Sequence, residues 1–169
     1  MAGNVFITSD SHFGHANMLR FKREDGTPVR DFASVEEMDE TMVANWNAIV
    51  RPGDRVYHLG DIAMAKSQIA TLGRCNGKKH LIKGNHDIFT LKDYLPFVYN
   101  ISSFKKMDGA ALSHFPIHPG SLGRFGLNLH GHTHHQCLDD DRYVNMCVEM
   151  TNYTPVPWDD VQRVIRNRR

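Results

Sequence analysis

The chain is short of several things that usually mark a protein's class. Among its 169 residues there are three cysteines, Cys75, Cys137 and Cys147, odd in number and never in CxxC spacing. That argues against a disulfide framework and against a thiolate zinc site, and predicts reduced thiols in a cytoplasmic protein. No apolar run approaches the roughly 18 residues of a membrane span. No basic segment precedes a long apolar one at the start, so no secretory signal is expected. Net charge is nearly absent: 20 Lys and Arg stand against 19 Asp and Glu, leaving +1. No global field therefore marks a nucleic-acid binder. Internal repeats and low-complexity linkers are also missing, and the length predicts one domain over residues 1–169. With 41% hydrophobic and 23% charged residues, the composition is that of an ordinary globular chain.

What the chain has in excess is histidine, 11 in all, none of it in a terminal run. Histidine is the commonest metal ligand and the natural acid–base group near neutral pH. Five small polar groups contain many of them: Asp10-Ser11-His12, Gly60-Asp61, Gly84-Asn85-His86-Asp87, Ser113-His114 and Gly131-His132-Thr133-His134.

Hydrophobic periodicity places each group at the end of a strand. Residues 4–9, 55–59, 79–83, 99–104, 109–113, 126–129 and 143–150 read as strands. Ser34 and Glu37 form a capping box ahead of a helix over 35–50, with Met38, Met42, Val43, Trp46, Ile49 and Val50 on its apolar face. Shorter helices are expected over 15–23, 66–72 and 87–94, and a last one from Trp158. Asp159 and Asp160 at its start and Arg163 and Arg166 toward its end suit the helix dipole, a better reading of the basic terminus than a nucleic-acid tail. Strand and helix alternate in the first half and strands dominate the second. This order predicts an α/β fold, a two-sheet mixed β-sandwich flanked by helices. In such sheets ligands bind at the carboxyl ends of strands, so five separate segments would deliver carboxylate, imidazole and amide oxygen to one place. Those ligand types suit divalent Mn, Fe, Zn, Ni or Co.

The order DxH, GD, GNHD, H, GHxH resembles the calcineurin-like metallophosphoesterases. The surrounding strings ITSDSHFGHANM, EEMDETMVANWN and DRVYHLGDIA are similar to its small stand-alone bacterial and phage members. The resemblance implies a four-layer αββα fold and two divalent metals, manganese first among the candidates. Asp10, His12, Asp61 and His134 would hold one ion. Asp61, Asn85, His114 and His132 would hold the other, with Asp61 bridging. It implies attack on phosphorus by a metal-bridging hydroxide, with His86 protonating the leaving oxygen and Asp87 orienting the His86 ring. Every ligand of the family has a counterpart here, which argues against a non-catalytic protein-binding scaffold.

Other residues read two ways. His15 would touch the substrate or cap a helix. Arg30 and Arg124 would bind a phosphate as forked donors or lie in solvent. His118 and His135 flank ligands and could stand at the entrance, whereas His58, His80 and His130 read as structural. No segment is long enough to build a cap over the site. An open site favours a phosphodiesterase acting on nucleotide-like or other small phosphate esters over a phosphomonoesterase or a nuclease.

Overall fold

The structure is a computed structural model, and it describes residues 3–123 and 125–167. The elements run β1 (Val5–Thr8), α1 (Val35–Ile49), β2 (Arg55–His58), β3 (Lys78–Ile82), α2 (Leu91–Tyr94), β4 (Asn100–Ser102), β5 (Lys105–Met107), β6 (Ala110–Leu112), α3 (Pro119–Leu122), β7 (Leu127–His130), β8 (Tyr143–Asn145), β9 (Val156–Pro157) and α4 (Trp158–Asn167). Two mixed sheets result. One has the order β4-β3-β2-β1-β9, parallel except for β9. The other has the order β5-β6-β7-β8, parallel except for the β5–β6 hairpin. The α/β sandwich expected from the strand order is the fold observed.

Period-two alternation decides which side chain enters which core. Phe6, Val56 and Leu81 point from the first sheet toward α1, where Met38, Met42, Val43 and Trp46 meet them. Their neighbours Ile7, Tyr57 and Ile82 point the other way and pack against Ala110, Leu112, Leu127 and Leu129 of the second sheet. The central strands are thus apolar on both faces, as a covered parallel sheet requires. Ser34 caps α1 by accepting from the Glu37 amide at 3.1 Å. Glu37 closes the loop one residue further out than a capping box would, accepting from the Ala33 amide at 2.7 Å.

Local departures from the expected elements have physical reasons. Lys66–Arg74 is a 3-10 helix rather than an α-helix. Of residues 87–94, only Leu91–Tyr94 is helical, because Thr90 and Asp93 form a capping box that starts the helix there. Residues 143–150 do not form one strand: β8 stops at Asn145, and Val148–Met150 is a 3-10 turn. Among the described residues, no helix is long and apolar enough to cross a membrane.

Candidate metal centre

The loops after β1, β2, β3, β6 and β7 meet at the carboxyl ends of the strands. They are stitched by backbone bonds: the Asp10 amide donates to Gly60 O at 2.9 Å, the His12 amide to Asp61 O at 3.0 Å, and the Gly131 amide to His114 O at 2.9 Å. The Val148 amide donates to Ser9 O at 3.1 Å, which ties the end of β1 to the segment after β8. Close approach of these loops depends on glycine. A Cβ on Gly131 would strike Ser9 Oγ and Asp10 Oδ2, and one on Gly84 would strike Asp61 Oδ1.

Eight described non-glycine residues have positive φ, and five of them are Asp10, His12, Asp61, His132 and His134. Left-handed backbone is uncommon outside glycine and is sustained only where the surroundings over-determine it. Its concentration on these five side chains marks them as positioned rather than incidental.

Two groups of metal-ligating atoms result. Asp10, His12 and His134 form one and Asp61, His114 and His132 the other, with the donor atoms of each group within 4.8 Å of one another. Asp61 faces both: its Oδ2 lies 3.6 Å from His12 Nε2 and 3.5 Å from His114 Nε2. Asn85 joins the second group, its Oδ1 lying 2.8 Å from His114 Nε2. The histidine tautomers follow from their other partners. His114 Nδ1–H donates to Leu59 O at 2.8 Å and His134 Nδ1–H to Glu149 Oε1 at 2.9 Å. In its neutral form each ring then offers Nε2 as the ligand atom, although Glu149 raises His134 against the effect of burial.

Asp10 is oriented the same way. Ser9 Oγ, the His132 amide and Cys147 Sγ all donate to its Oδ2, while Oδ1 makes no hydrogen bond. Neither ring nitrogen of buried His12 makes a hydrogen bond, Nε2 lying 3.8 Å from Asp10 Oδ1 and 3.6 Å from Asp61 Oδ2. Unpaired buried polar atoms cost about 1–3 kcal/mol each. Lone pairs that converge with no proton between them fit a divalent cation. Donors bound at about 2.1 Å to a single ion sit roughly 3–3.5 Å apart, close to the separations here.

The electrostatics agree. Burial pushes His12 down to about 4 despite neighbouring Asp10, so it is neutral and able to ligate. Burial, with help from Asp10 and Asp87, raises Asp61 to about 6 against the pull of His114 and the His86 amide. Burial opposes the ionisation of Asp10 as well, but His12, His114 and His134 outweigh it and hold the carboxyl below its usual range.

His86 is half-buried, with its ring centroid 5.7 Å from that of His12. Its amide donates to Asp61 Oδ1 at 2.9 Å. His15 lies beside His12 at 5.8 Å between centroids, and both face the cleft with His86, His132, His134 and His135. Of the helix expected over 15–23 only the 3-10 turn Ala16–Leu19 forms, and His15 makes no side-chain cap hydrogen bond to it.

Two expected roles need correction. Asp87 does not orient His86, because its carboxylate is taken by three backbone amides: Asp61 at 2.8 Å, Ile62 at 3.1 Å and Gly84 at 2.8 Å. It braces the Gly60-Asp61 loop against the Gly84 turn. Arg30 is not a surface phosphate donor. It is fully buried and donates to Asp10 O at 2.6 Å, Ser11 O at 2.8 Å and Glu149 Oε1 at 2.8 Å. Arg124 lies outside the described residues. His118 accepts from the Gly120 amide in its own turn. His58, His80 and His130 are structural: His58 links Gly60 to Ser11, His80 sits between Tyr57 and Tyr99, and His130 Nδ1 bonds Gly131 O.

Sequence reasoning missed Glu149. Its side chain is fully buried, and Oε1 takes both Arg30 and His134. Burial would raise this carboxyl, but His134 and Arg30 reverse that and lower it. A carboxylate on the far nitrogen of a ligating histidine fixes its tautomer and raises its basicity. No local signal marks Glu149, since Arg30 lies 119 positions and His134 15 positions away in the chain.

Comparison with known proteins finds relatives of the chain. No protein-family model matches the chain. The Gene 66 protein of Mycobacterium phage D29 is 28% identical over 204 residues, covering 97% of this chain and 96% of its own. In structure, a protein of unknown function from Aquifex aeolicus, AQ665, superposes with a TM-score of 0.74 at 22% identity, covering 96% of this chain and 99% of its own. The nuclease MPE of Pseudomonas putida superposes with a TM-score of 0.50 at 21% identity, over 77% of this chain and 61% of its own. The uncharacterized protein MJ1445 of Methanocaldococcus jannaschii is 35% identical over 172 residues, 95% of this chain and 90% of its own. The chain therefore belongs to the same family as MJ1445.

Proposed function

We propose that the protein is a dimetal phosphohydrolase of the calcineurin-like kind, acting on phosphate esters and favouring diesters. The observation that carries this reading is the convergence of two ligand groups on one shared carboxylate, with buried lone pairs that have no proton to share. Asp10, His12, Asp61 and His134 would hold one divalent ion, and Asp61, Asn85, His114 and His132 the other. When bound, such a pair supplies Lewis acidity toward phosphoryl oxygens and a nucleophile at neutral pH.

The chain's own residues do the rest. His86, which lines the cleft beside His12, would protonate the leaving oxygen. Asp87 holds the turn from which Asn85 and His86 project. Arg30 and Glu149 hold the Asp10 loop and His134 in register. The structural likeness to a nuclease supports a phosphodiester substrate.

The test is hydrolysis of bis-p-nitrophenyl phosphate and p-nitrophenyl phosphate by metal-stripped protein, with and without manganese. Manganese-dependent cleavage, faster on the diester, is expected. No cleavage by protein that also takes up no metal would overturn the reading and favour a non-catalytic binding scaffold.

A further inference from the structure

The cleft that opens onto the metal centre has two unlike walls. One is the imidazole wall already described. The other is apolar and comes from two elements: Met18, Phe21 and Val29 from the segment after His15, and Met64 from the loop after Asp61. Phe21 is 50% exposed and Met64 38% exposed, whereas Met18 and Val29 are buried behind them. Lys22 adds a cation to the same wall. The cavity volume is about 570 Å³, within the range of pockets that take one small organic ligand.

The apolar wall is built rather than draped. Residues 21–29 form a small hairpin: Lys22 bridges Pro28, the Val29 amide donates to Phe21 O at 2.9 Å, and the Arg23 amide donates to Thr27 O at 2.8 Å. Asp25 closes its tip by accepting from the Thr27 amide at 2.9 Å. At its base, Arg30 fastens the hairpin to the carbonyls of Asp10 and Ser11. The apolar wall is therefore set at a fixed distance from the residues proposed to hold metal.

We infer that this wall is a subsite for a nucleoside, with the base lying against the exposed faces of Phe21 and Met64, so that the ester processed at the metal centre is a nucleotide. This rests on the phosphohydrolase reading for its phosphate half and on the apolar wall for its nucleoside half. The chemistry selects the occupant. Aromatic and thioether groups favour a flat π face, and stacking on an exposed aromatic tolerates any base. A bare sugar would need more polar partners than this wall offers. Lys22 suits a ligand that carries anionic oxygens.

The experiment uses the full chain loaded with zinc, which is diamagnetic, and labelled with 13C at the methionine methyls. Three probes that the enzyme cannot hydrolyse are titrated in: adenosine, methylphosphonate, and the phosphonate analogue of adenosine 5′-monophosphate with CH2 in place of the ester oxygen. The Met18 and Met64 methyl signals should shift with both adenosine-bearing probes and stay still with methylphosphonate. By calorimetry the nucleotide analogue should bind about tenfold or more tightly than methylphosphonate, as one base stack provides. Phe21→Ala, at an exposed position, should remove most of that ratio and leave methylphosphonate affinity unchanged. Met64→Ala should reduce it in part.

Equal affinity for the two phosphonates, or a ratio unchanged in Phe21→Ala, would overturn the subsite. Failure of methylphosphonate to bind would count against the phosphohydrolase reading instead. The methyl response to adenosine alone would then still decide the subsite.

Discussion

Replacing Arg30 by Met keeps the aliphatic length and removes the guanidinium. The side chain is fully buried, and it serves two backbone carbonyls and the Glu149 carboxylate. Without it, Glu149 keeps only His134 as a partner for a charge that is itself buried. Breaking one side of a buried ion pair costs about 3–5 kcal/mol. Stranding the Asp10 and Ser11 carbonyls adds roughly 1–3 kcal/mol for each that finds no water. The expected loss is therefore about 4 kcal/mol or more, a large share of the roughly 5–15 kcal/mol that holds a domain together. For a chain of this size it should lower Tm by about 8–16 °C. Urea denaturation of metal-free protein at neutral pH measures it. A double-mutant cycle separates charge from packing: if the stranded carboxylate is the main cost, Arg30→Met with Glu149→Gln should be clearly less destabilised than the sum of the single variants. A single-variant loss under about 1 kcal/mol, or strict additivity in the cycle, would refute the reasoning.

Other consequences can be measured separately. Glu149→Gln keeps a hydrogen-bonding oxygen beside His134 but removes the charge, and should weaken metal affinity by about 10–100-fold, read by competition with a chelating dye. His86→Ala should lower turnover by roughly 10²–10⁴-fold with metal content unchanged; loss of metal in that variant would make His86 a ligand rather than an acid. His58 is fully buried, and burial pushes it down to about 3. Its folded pKa lies below the unfolded value of about 6.5, so the unfolded chain takes up the proton first as pH falls. Its contribution to stability is whole above about pH 6.5 and is lost toward pH 3, by up to about 1.4 kcal/mol per pH unit. His58→Asn should flatten that slope relative to wild type in acid-range denaturation.

The three strands that deliver Asp10, Asp61 and Asn85 were readable because each is an apolar run broken by a polar group at its end. The same logic placed His114, His132 and His134. The β5–β6 hairpin went unread, since strands were expected over 99–104 and 109–113, although Asp108-Gly109 between Met107 and Ala110 is a two-residue turn signature and both residues have positive φ. Long-range partnerships were not readable. Arg30 and Glu149 meet across 119 positions, and neither has neighbours that hint at the pairing. Asp87 misled by adjacency: in a turn this tight, its carboxylate folds back to the Asp61, Ile62 and Gly84 amides rather than to the next-door imidazole. The left-handed backbone at Asp10, His12, Asp61, His132 and His134 was equally hidden, because these positions carry ligands where conformation alone would favour glycine.

In the proposed centre one carboxylate, Asp61, serves two ions. Metal content by mass spectrometry tests it most directly, on wild type and Asp61→Ala after reconstitution with manganese and removal of excess ion. About two ions per chain are expected in wild type, and a loss at both sites in Asp61→Ala, with the circular dichroism of the folded chain retained. A single ion in wild type, or two ions undisturbed in Asp61→Ala, would contradict it.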